Sequence, residues 1–168
     1  QVEGQNNLGI LYTNGEGVTL NKEKALWWYR EAAEKDSAVA QLNLGHMYEV
    51  GDGVDPNPQE ALAWYQKAAK NGLAQAQYNL GSIHLRGHWV KRDAKMAAFW
   101  FLRAAKQGLA LAEYNLAIQF YQGTGVPIDK PQSFRWFQKA ASQGLVHAQY
   151  NLGLMYMKGE GVTADNEE

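Results

Sequence analysis

Residues 40–54, AQLNLGHMYEVGDGV, and residues 61–72, ALAWYQKAAKNG, recur with small changes along the whole chain. The dipeptide Leu-Gly begins at residues 8, 44, 80 and 152, and Leu-Ala replaces it at residue 116, so neighbouring copies lie 36 residues apart. Tryptophan follows the same period, at residues 28, 64, 100 and 136. A period between about 20 and 50 residues is typical of solenoids, in which each unit buries its apolar face against its neighbours.

The spacing of apolar residues within one unit predicts two helices. Ala40, Leu44 and Tyr48 form the stripe of a first amphipathic helix, which we name the A helix. Ala61 and Tyr65 belong to the stripe of a second helix, the B helix, which follows a glycine-bearing turn. We expect a capping side chain before each B helix, and these positions hold Asn21, Asn57, Asp93, Asp129 and Asp165. Left-handed helix ends are expected at Gly72, Gly108 and Gly144.

The sequence therefore predicts an all-α protein, an αα-superhelix (solenoid) of 36-residue helix-turn-helix repeats with about nine antiparallel helices. We expect a single solenoid domain over residues 1–168, divided into repeats 1–36, 37–72, 73–108 and 109–144 and an incomplete repeat 145–168. Glycine inside the A helices, as at Gly45, predicts a close approach to the tryptophan of the B helix, as at Trp64. The repeated tryptophans are interpreted as core residues.

Composition excludes several classes of function. The 16 basic and 17 acidic residues give a net charge of −1, which does not favour nucleic acid or an anionic membrane as a partner. The longest apolar run, residues 96–102, is too short to cross a bilayer, so no membrane insertion is expected. Without cysteine the chain has no disulfides and no thiolate chemistry, and its compartment stays open. The absence of an initiator methionine and of a signal-peptide pattern at Gln1 indicates a processed protein or an excised piece.

These motifs resemble the Sel-one-like repeat, a relative of the tetratricopeptide repeat. The resemblance rests on A-x-x-N-L-G-x-x-Y, G-x-G-V and A-x-x-W-Y-x-K-A-A-x-x-G, and it covers essentially all 168 residues. It implies a right-handed solenoid that acts as a non-enzymatic scaffold or adaptor for a protein or peptide partner. Cysteine-rich bacterial members of the family tie each repeat with a disulfide, and this chain departs from them.

A groove lined by A helices is the first candidate binding surface. Its constant amide column is Asn7, Asn43, Asn79, Asn115 and Asn151. Its variable positions are Val39, Gln75, Leu111 and His147 in one column, and Ile10, His46, Ser82, Ile118 and Leu154 in another. The amides would bond the backbone of an extended peptide while the variable residues select its side chains. The alternative is that each asparagine makes a structural hydrogen bond, and both interpretations stay open.

The third repeat carries a second candidate site, because Trp89 stands where the other turns have glycine. We expect this turn to adopt another shape. The candidate loop site comprises Arg86, His88, Trp89, Lys91 and Arg92. It would suit an acidic peptide or a phosphorylated group. The alternative is a tolerated structural variant, in which Lys91 or Arg92 pairs with an aspartate of the preceding turn, such as Asp52.

No catalytic set, metal site or cofactor is expected. His84 and His88 are four residues apart, but His88 falls beyond the predicted end of its helix, so they do not indicate a metal site. A small-molecule binder or hydrolase that uses the groove is the alternative function, and it would require His46 or His147 beside a nucleophile or carboxylate. The last repeat ends before its B helix is complete, so we expect weak self-association through this open end.

Overall fold

The computed structural model describes residues 1–161, and these form nine α-helices without a strand. The all-α fold is therefore confirmed, with two helices in each of the first four repeats and one described helix in the fifth. The A helices are α1 (Val2–Asn14), α3 (Ala38–Val50), α5 (Ala74–Arg86), α7 (Ala110–Gln122) and α9 (Val146–Lys158). The B helices are α2 (Lys22–Ala33), α4 (Pro58–Lys70), α6 (Ala94–Lys106) and α8 (Lys130–Ser142). Within residues 1–161, no helix is both long and apolar enough to traverse a bilayer.

The chain divides into two compact units, Gln1–Leu80 and a second that starts at Gly81, inside α5. In the first unit α1 packs on α2, α2 on α3, and α3 on α4. In the second, α6 packs on α7, α7 on α8, and α8 on α9. Within each unit, helices that are neighbours in sequence therefore pack on each other. The single domain over residues 1–168 stays a prediction.

The helix ends follow the predicted capping chemistry. Four B helices begin at a residue whose side chain accepts a hydrogen bond from the first turn: Asn21, Asn57, Asp93 and Asp129. The fifth predicted cap, Asp165, lies outside the described residues. After the B helices, Gly72, Gly108 and Gly144 have φ angles of 90°, 82° and 85°, which confirms the left-handed ends. Asp36 holds the same place in the first repeat and has a φ of 63°.

Glycine inside the A helices permits the expected close approach, but the aromatic partner differs from the prediction. A Cβ atom on Gly45 would lie 2.8 Å from ring carbons of Tyr65. The same holds for Gly9 with Tyr29 and for Gly81 with Phe101. The ring over each glycine is thus the residue after the tryptophan, because that residue faces the A helix of its own repeat. Trp64 and Trp100 are buried, as predicted for core residues, whereas Trp28 and Trp136 are half-buried.

Buried glutamines join two of the A helices, α3 and α5, to the preceding B helix. Gln41 Nε2 donates to the carbonyl of Ala33 at 3.0 Å, and Gln77 Nε2 donates to the carbonyl of Ala69 at 3.1 Å. The fourth repeat has Glu113 at the position of these glutamines, and this residue is only 3% exposed. Its carboxyl group accepts a hydrogen bond from Gln143 Nε2 at 2.9 Å. Burial raises the pKa of Glu113, although Gln143 and the charge of Lys139 oppose this.

Candidate functional site

A cavity of about 370 Å³ lies between α7 and α9 in the second unit. Aromatic and aliphatic side chains from both helices meet a few polar groups there. The lining residues are Tyr114, Ile118, Tyr121, Gln122, Phe137, Asn151, Leu154, Met155 and Lys158. A largely apolar concavity with few polar groups is the usual form of a binding site, and its volume falls in the range of about 300–1,000 Å³ seen for such sites.

Helical periodicity explains why these residues share one surface. On α7 the lining positions 114, 118, 121 and 122 are spaced i, i+4, i+7 and i+8. On α9 the positions 151, 154, 155 and 158 are spaced i, i+3, i+4 and i+7. Each set covers one face of its helix. Phe137 of α8 completes the lining, and it belongs to the same apolar cluster as Met155 and Ala117.

Tyr121 is held in place at the cavity by two charged side chains. Its hydroxyl donates to Glu160 Oε2 at 2.8 Å, while Lys130 Nζ lies 3.1 Å from the centre of its ring and 3.5 Å from the same carboxylate. The hydrogen bond from Tyr121 lowers the pKa of Glu160, and the charges of Lys130 and Lys158 act in the same direction against partial desolvation. The ionised carboxylate and the ammonium group thus orient one wall of the cavity.

The amide column makes bonds inside the protein. Asn43 Nδ2 donates to Asn6 Oδ1 at 3.1 Å, and Asn151 Nδ2 donates to the hydroxyl of Tyr114 at 3.4 Å. In each case the bond joins one A helix to the A helix of the preceding repeat. The two remaining contacts are Asn115 Nδ2 to the carbonyl of Leu111 at 2.7 Å and Gln75 Nε2 to Asn79 Oδ1 at 3.1 Å.

These bonds do not use the full capacity of an amide, which has two donor hydrogens and two acceptor lone pairs. Four asparagines of this column are half-buried: Asn43, Asn79, Asn115 and Asn151. A peptide could therefore add hydrogen bonds to those already present. Both the structural and the peptide-binding interpretation therefore stay predictions. Three members of the predicted groove line the cavity: Asn151 of the amide column and the variable residues Ile118 and Leu154.

The variable groove positions differ in their surroundings. His46 is exposed, and its Nδ1 lies 3.6 Å from Glu49 Oε2, a carboxylate that already accepts the hydroxyl hydrogen of Tyr65. His147 is exposed, with its ring 6.3 Å from that of Tyr114. Leu111 is 41% exposed. Among the other variable positions, Val39 is 46% exposed. The rest are half-buried: Ile10, Gln75, Ser82, Ile118 and Leu154.

Several cavity residues are absent from the predicted groove set. Tyr114 and Tyr121 lie on α7, and Phe137 reaches the cavity from α8. One signal was available for Tyr114, because tyrosine stands directly before the asparagine of the column in three repeats, at residues 78, 114 and 150. Lys158 follows no repeated pattern, so only the structure places it at the cavity.

The turn that contains Trp89 keeps the shape of its counterparts, and the expectation of another shape is wrong. Trp89 has a φ of 64°, close to the 72°, 77° and 80° of the glycines at residues 17, 53 and 125. The indole is half-buried, and the ring of His88 lies 4.5 Å from it. The other members of the loop site, Arg86, Lys91 and Arg92, are exposed. Asp52, a suggested partner for these cations, pairs with Lys22 at 2.8 Å.

Metal-binding geometry is missing from the part of the chain that the structure describes. No three side chains among its histidines, aspartates and glutamates converge as a metal site requires. His84 lies on α5 with a buried Nδ1 that has no hydrogen-bond partner, and His88 follows the end of that helix at Arg86.

Comparison with known proteins identifies the repeat. A family model of the Sel1 repeat matches residues 2–37, 38–73, 74–109, 110–145 and 146–168. A protective antigen of uropathogenic Escherichia coli with an SLR fold superposes with a TM-score of 0.92 at 36% identity over 98% of this chain. A Sel1 repeat protein from Oxalobacter formigenes superposes with a TM-score of 0.90 at 37% identity over 92% of the chain.

The chain spans 35% and 45% of the length of these two proteins. The cysteine-rich protein B of Helicobacter pylori is more distant, with a TM-score of 0.63 at 25% identity over 79% of this chain and 96% of its own. No curated protein matches the sequence. The repeat model covers nearly every residue, and the fold agrees with it in each repeat. The chain therefore belongs to the Sel1 repeat family.

Proposed function

We propose that this chain is a non-enzymatic interaction scaffold that binds an extended segment of a protein partner in the cavity between α7 and α9. Proteins of the Sel1 repeat family are generally protein-interaction scaffolds. The observation that carries the proposal for this chain is the cavity of about 370 Å³ with its mixed aromatic and polar lining. The net charge of −1 supports a protein partner rather than nucleic acid.

The lining suits a peptide with an apolar anchor. Tyr114, Tyr121 and Phe137 offer aromatic surface to one large side chain, and aromatic anchors that fill pockets contribute most of the affinity in many interfaces. Asn151 offers its amide to the peptide backbone, and Lys158 offers a positive charge to an acidic residue beside the anchor. We therefore expect a segment that combines a large apolar residue with an aspartate or glutamate.

The test is selection of peptides from a random display library on the immobilised chain, followed by titration calorimetry of the selected peptides. Ile118→Arg places a charge in the cavity and should lower affinity at least tenfold. Val50→Arg is the matched control, because Val50 is 54% exposed and lies in the other unit. Equal binding by the wild type and both variants contradicts the proposal.

A small-molecule binder or hydrolase is the second candidate, and the volume of the same cavity is the observation in its favour. A hydrolase would need His46 or His147 to activate a nucleophile, and the ring of His147 lies 6.3 Å from that of Tyr114, a residue of the cavity wall. Thermal-shift screening of a metabolite library separates the candidates. Compounds that stabilise the wild type but not Ile118→Arg favour the small-molecule function.

The loop site is a second surface that we propose for an acidic peptide or a phosphorylated group. The exposed cations Arg86, Lys91 and Arg92 lie within three residues of Trp89 in the sequence, and its indole is half-buried. Charge-assisted hydrogen bonds from Arg86 and Arg92 would hold the anionic group. Capture of partners by the double variant Trp89→Gly with Arg92→Glu should fall relative to the wild type, whereas unchanged capture contradicts this surface.

A further inference from the structure

A second concavity lies on α6 and α7, and its volume is about 260 Å³. On α6 its lining positions 95, 98, 99 and 102 are spaced i, i+3, i+4 and i+7, so they share one face of the helix. Its lining shares no residue with that of the cavity between α7 and α9. We call it the α6–α7 groove, and its walls include Lys95, Ala98, Phe99, Leu102, Phe120 and Val126.

The groove is open because the third repeat has a small residue, Ala98, where other repeats have a large one. The large residues at this position are Leu26, Leu62 and Phe134. Phe134 shows how such a residue closes the space, because it is 9% exposed and its ring lies edge-on to that of Tyr156, with the ring centres 5.0 Å apart. Tyr156 corresponds to Phe120. Ala98 has no ring to set against Phe120, so the space beside α6 stays open.

A second difference between the repeats makes the groove apolar. In the first repeat the guanidinium of Arg30, on α2, donates to the hydroxyl of Tyr48, on α3. Leu102 and Phe120 hold the corresponding positions on α6 and α7, and neither side chain has a hydrogen-bonding group. Both are half-buried. The groove therefore offers apolar surface that an apolar side chain of a partner would remove from water.

The size of the groove indicates what it accommodates. Its volume lies below the range of about 300–1,000 Å³ of most small-molecule sites, yet an apolar cavity of about 150 Å³ already admits a benzene ring. The groove therefore suits one aromatic side chain better than a drug-sized molecule. The rings of Phe99 and Phe120 also favour an aromatic occupant, since aromatic pairs attract each other beyond the effect of the area that they bury.

The charges beside the groove favour an acidic partner. Lys95 lines the groove and is exposed, and the guanidinium of Arg103 lies 4.6 Å from the centre of the Phe99 ring. Within residues 81–161, no carboxylate lies within ion-pairing distance of either cation. Asp93 is the sole acidic residue between positions 86 and 112, and its side chain caps α6. The cations of the same stretch are Arg86, Lys91, Arg92, Lys95, Arg103 and Lys106. This surface therefore attracts negative charge.

We propose that the α6–α7 groove binds an acidic segment of a protein partner by enclosing one phenylalanine side chain of that segment. The phenylalanine takes the place that Phe134 fills in the fourth repeat, and its ring packs on Phe120 and Leu102. Carboxylates beside it in the partner pair with Lys95 and Arg103. This inference does not depend on binding in the cavity between α7 and α9.

The test is a titration of the isotope-labelled chain with the blocked peptide Glu-Glu-Phe-Glu-Glu, followed by nuclear magnetic resonance. The salt concentration is about 0.15 M, at which charges more than about 8 Å apart are largely screened. We expect saturable shifts of the amide signals of Ala98, Leu102 and Val126. Alanine in place of the peptide's phenylalanine should weaken binding at least tenfold. Lysines in place of its glutamates should also weaken binding.

Ala98→Phe copies Phe134 and fills the groove from within. The thermal midpoint should rise or stay unchanged, and binding of the peptide should weaken at least tenfold. Lys95→Glu copies Glu23 at an exposed position, so it tests the proposal even if Ala98→Phe does not fold. It should weaken binding of the glutamate peptide and strengthen binding of the lysine peptide. Lys70→Glu makes the same change of charge at an exposed position of the other unit, and it should alter neither affinity.

Ile118→Arg should also leave binding of the peptide unchanged, because Ile118 lines the cavity between α7 and α9. A loss of binding in this variant, with full binding by Ala98→Phe, would place the peptide in that cavity and overturn the proposal. Equal affinity for the glutamate and lysine peptides would overturn it as well.

Three further results count against a protein partner in the groove. The first is absence of peptide binding. The second is octanoate that shifts the signals of the groove residues while the peptide does not, because the occupant is then a small amphipathic molecule. The third is sedimentation of the wild type as a dimer that Ala98→Phe converts to a monomer, which would make a second copy of the chain the occupant.

Discussion

The ring of Tyr65 lies over Gly45 so closely that a Cβ on residue 45 would come within 2.8 Å of two ring carbons. The hydroxyl of the same tyrosine donates to Glu49, one turn further along α3, at 2.5 Å. One small residue and one polar partner on the A helix thus fix where the B helix lies. Because this arrangement is repeated, substitutions in one repeat can be compared with natural differences in another.

Gly45→Ala should destabilise the chain, whereas Gly153→Ala should not, because nothing in residues 1–161 lies within 4 Å of a Cβ placed on Gly153. The methyl group at residue 45 meets a ring that is 1% exposed and the carbonyl of Ala61 at 3.3 Å, so neither neighbour can easily move. Overpacking costs about 1–3 kcal/mol, against a gain in helix propensity of about 1 kcal/mol. We expect the free energies of unfolding of the two variants, from urea denaturation followed by circular dichroism, to differ by about 2 kcal/mol. Equal values would contradict the packing described for α3 and α4.

Glu49 and Tyr65 should be energetically coupled. Burial, followed by the hydrogen bond to Glu49 and its negative charge, raises the pKa of Tyr65 above its ordinary value of 10, so the neutral hydroxyl donates at neutral pH. Glu49→Leu leaves that hydroxyl unsatisfied and should cost about 1–3 kcal/mol.

The double variant Glu49→Leu with Tyr65→Phe copies the third repeat, which holds Leu85 and Phe101. It should recover most of the loss, and a double-mutant cycle from urea denaturation measures the coupling. Additive effects of the two substitutions would show that the hydrogen bond contributes nothing net to stability.

The fold could be predicted from the sequence because one period controls every level of it. The capping residues, the left-handed glycines and the apolar stripes all recur at the same spacing, so each repeat supports the interpretation of the others. The prediction was wrong where two neighbouring residues were both large and aromatic, as with Trp64 and Tyr65. Periodicity alone does not decide which of two adjacent positions faces the glycine, since both lie near the buried stripe.

The site was less predictable than the fold. Asn151 was recognised because it recurs, but Lys158 and Phe137 reach the cavity through the packing of α7, α8 and α9. The shape of the turn at Trp89 does not follow from the glycine of the other turns, because that glycine is a preference of the backbone and not a requirement. Positive φ has a moderate cost for other residues, and the surrounding repeats can impose it.

Glu113→Gln should stabilise the chain at pH 7 and reduce its dependence on pH. Burial raises the pKa of Glu113 above its ordinary value of 4.5. The contribution of Glu113 to the free energy of unfolding is therefore fully present below the pKa that its carboxyl group has in the unfolded chain. It is lost as pH rises through the higher pKa of this group in the folded state. Glutamine at this position also restores the donor that Gln41 and Gln77 use toward the preceding B helix. That hydrogen bond contributes about 1 kcal/mol.

Urea denaturation of the wild type and Glu113→Gln at pH 4.5 and pH 7.5 measures this effect. The variant should gain most at the higher pH, where the wild-type carboxyl group is ionised. Asn71 donates to Gln41 at 3.0 Å in the second repeat, so Gln143 should keep its bond to the new glutamine. A gain that is the same at both pH values would mean that ionisation of Glu113 does not affect stability.

Asp36→Gly should stabilise the chain more than Trp89→Gly. Both residues have left-handed φ angles, of 63° and 64°, at positions where other repeats have glycine. Such a backbone costs an L-residue about 1–2 kcal/mol, and the entropy that glycine loses on folding offsets about half of the relief. Asp36 is exposed, so its replacement should stabilise the chain by about 0.5 kcal/mol. Trp89 is half-buried, so its removal also loses contacts of the indole.

The difference between the two free energies of unfolding, measured in urea, reports the contribution of the indole to the folded state. If Trp89→Gly were the more stabilising change, the indole would contribute nothing to folding. The binding role of the loop site would then be the remaining physical reason for a strained tryptophan in this turn.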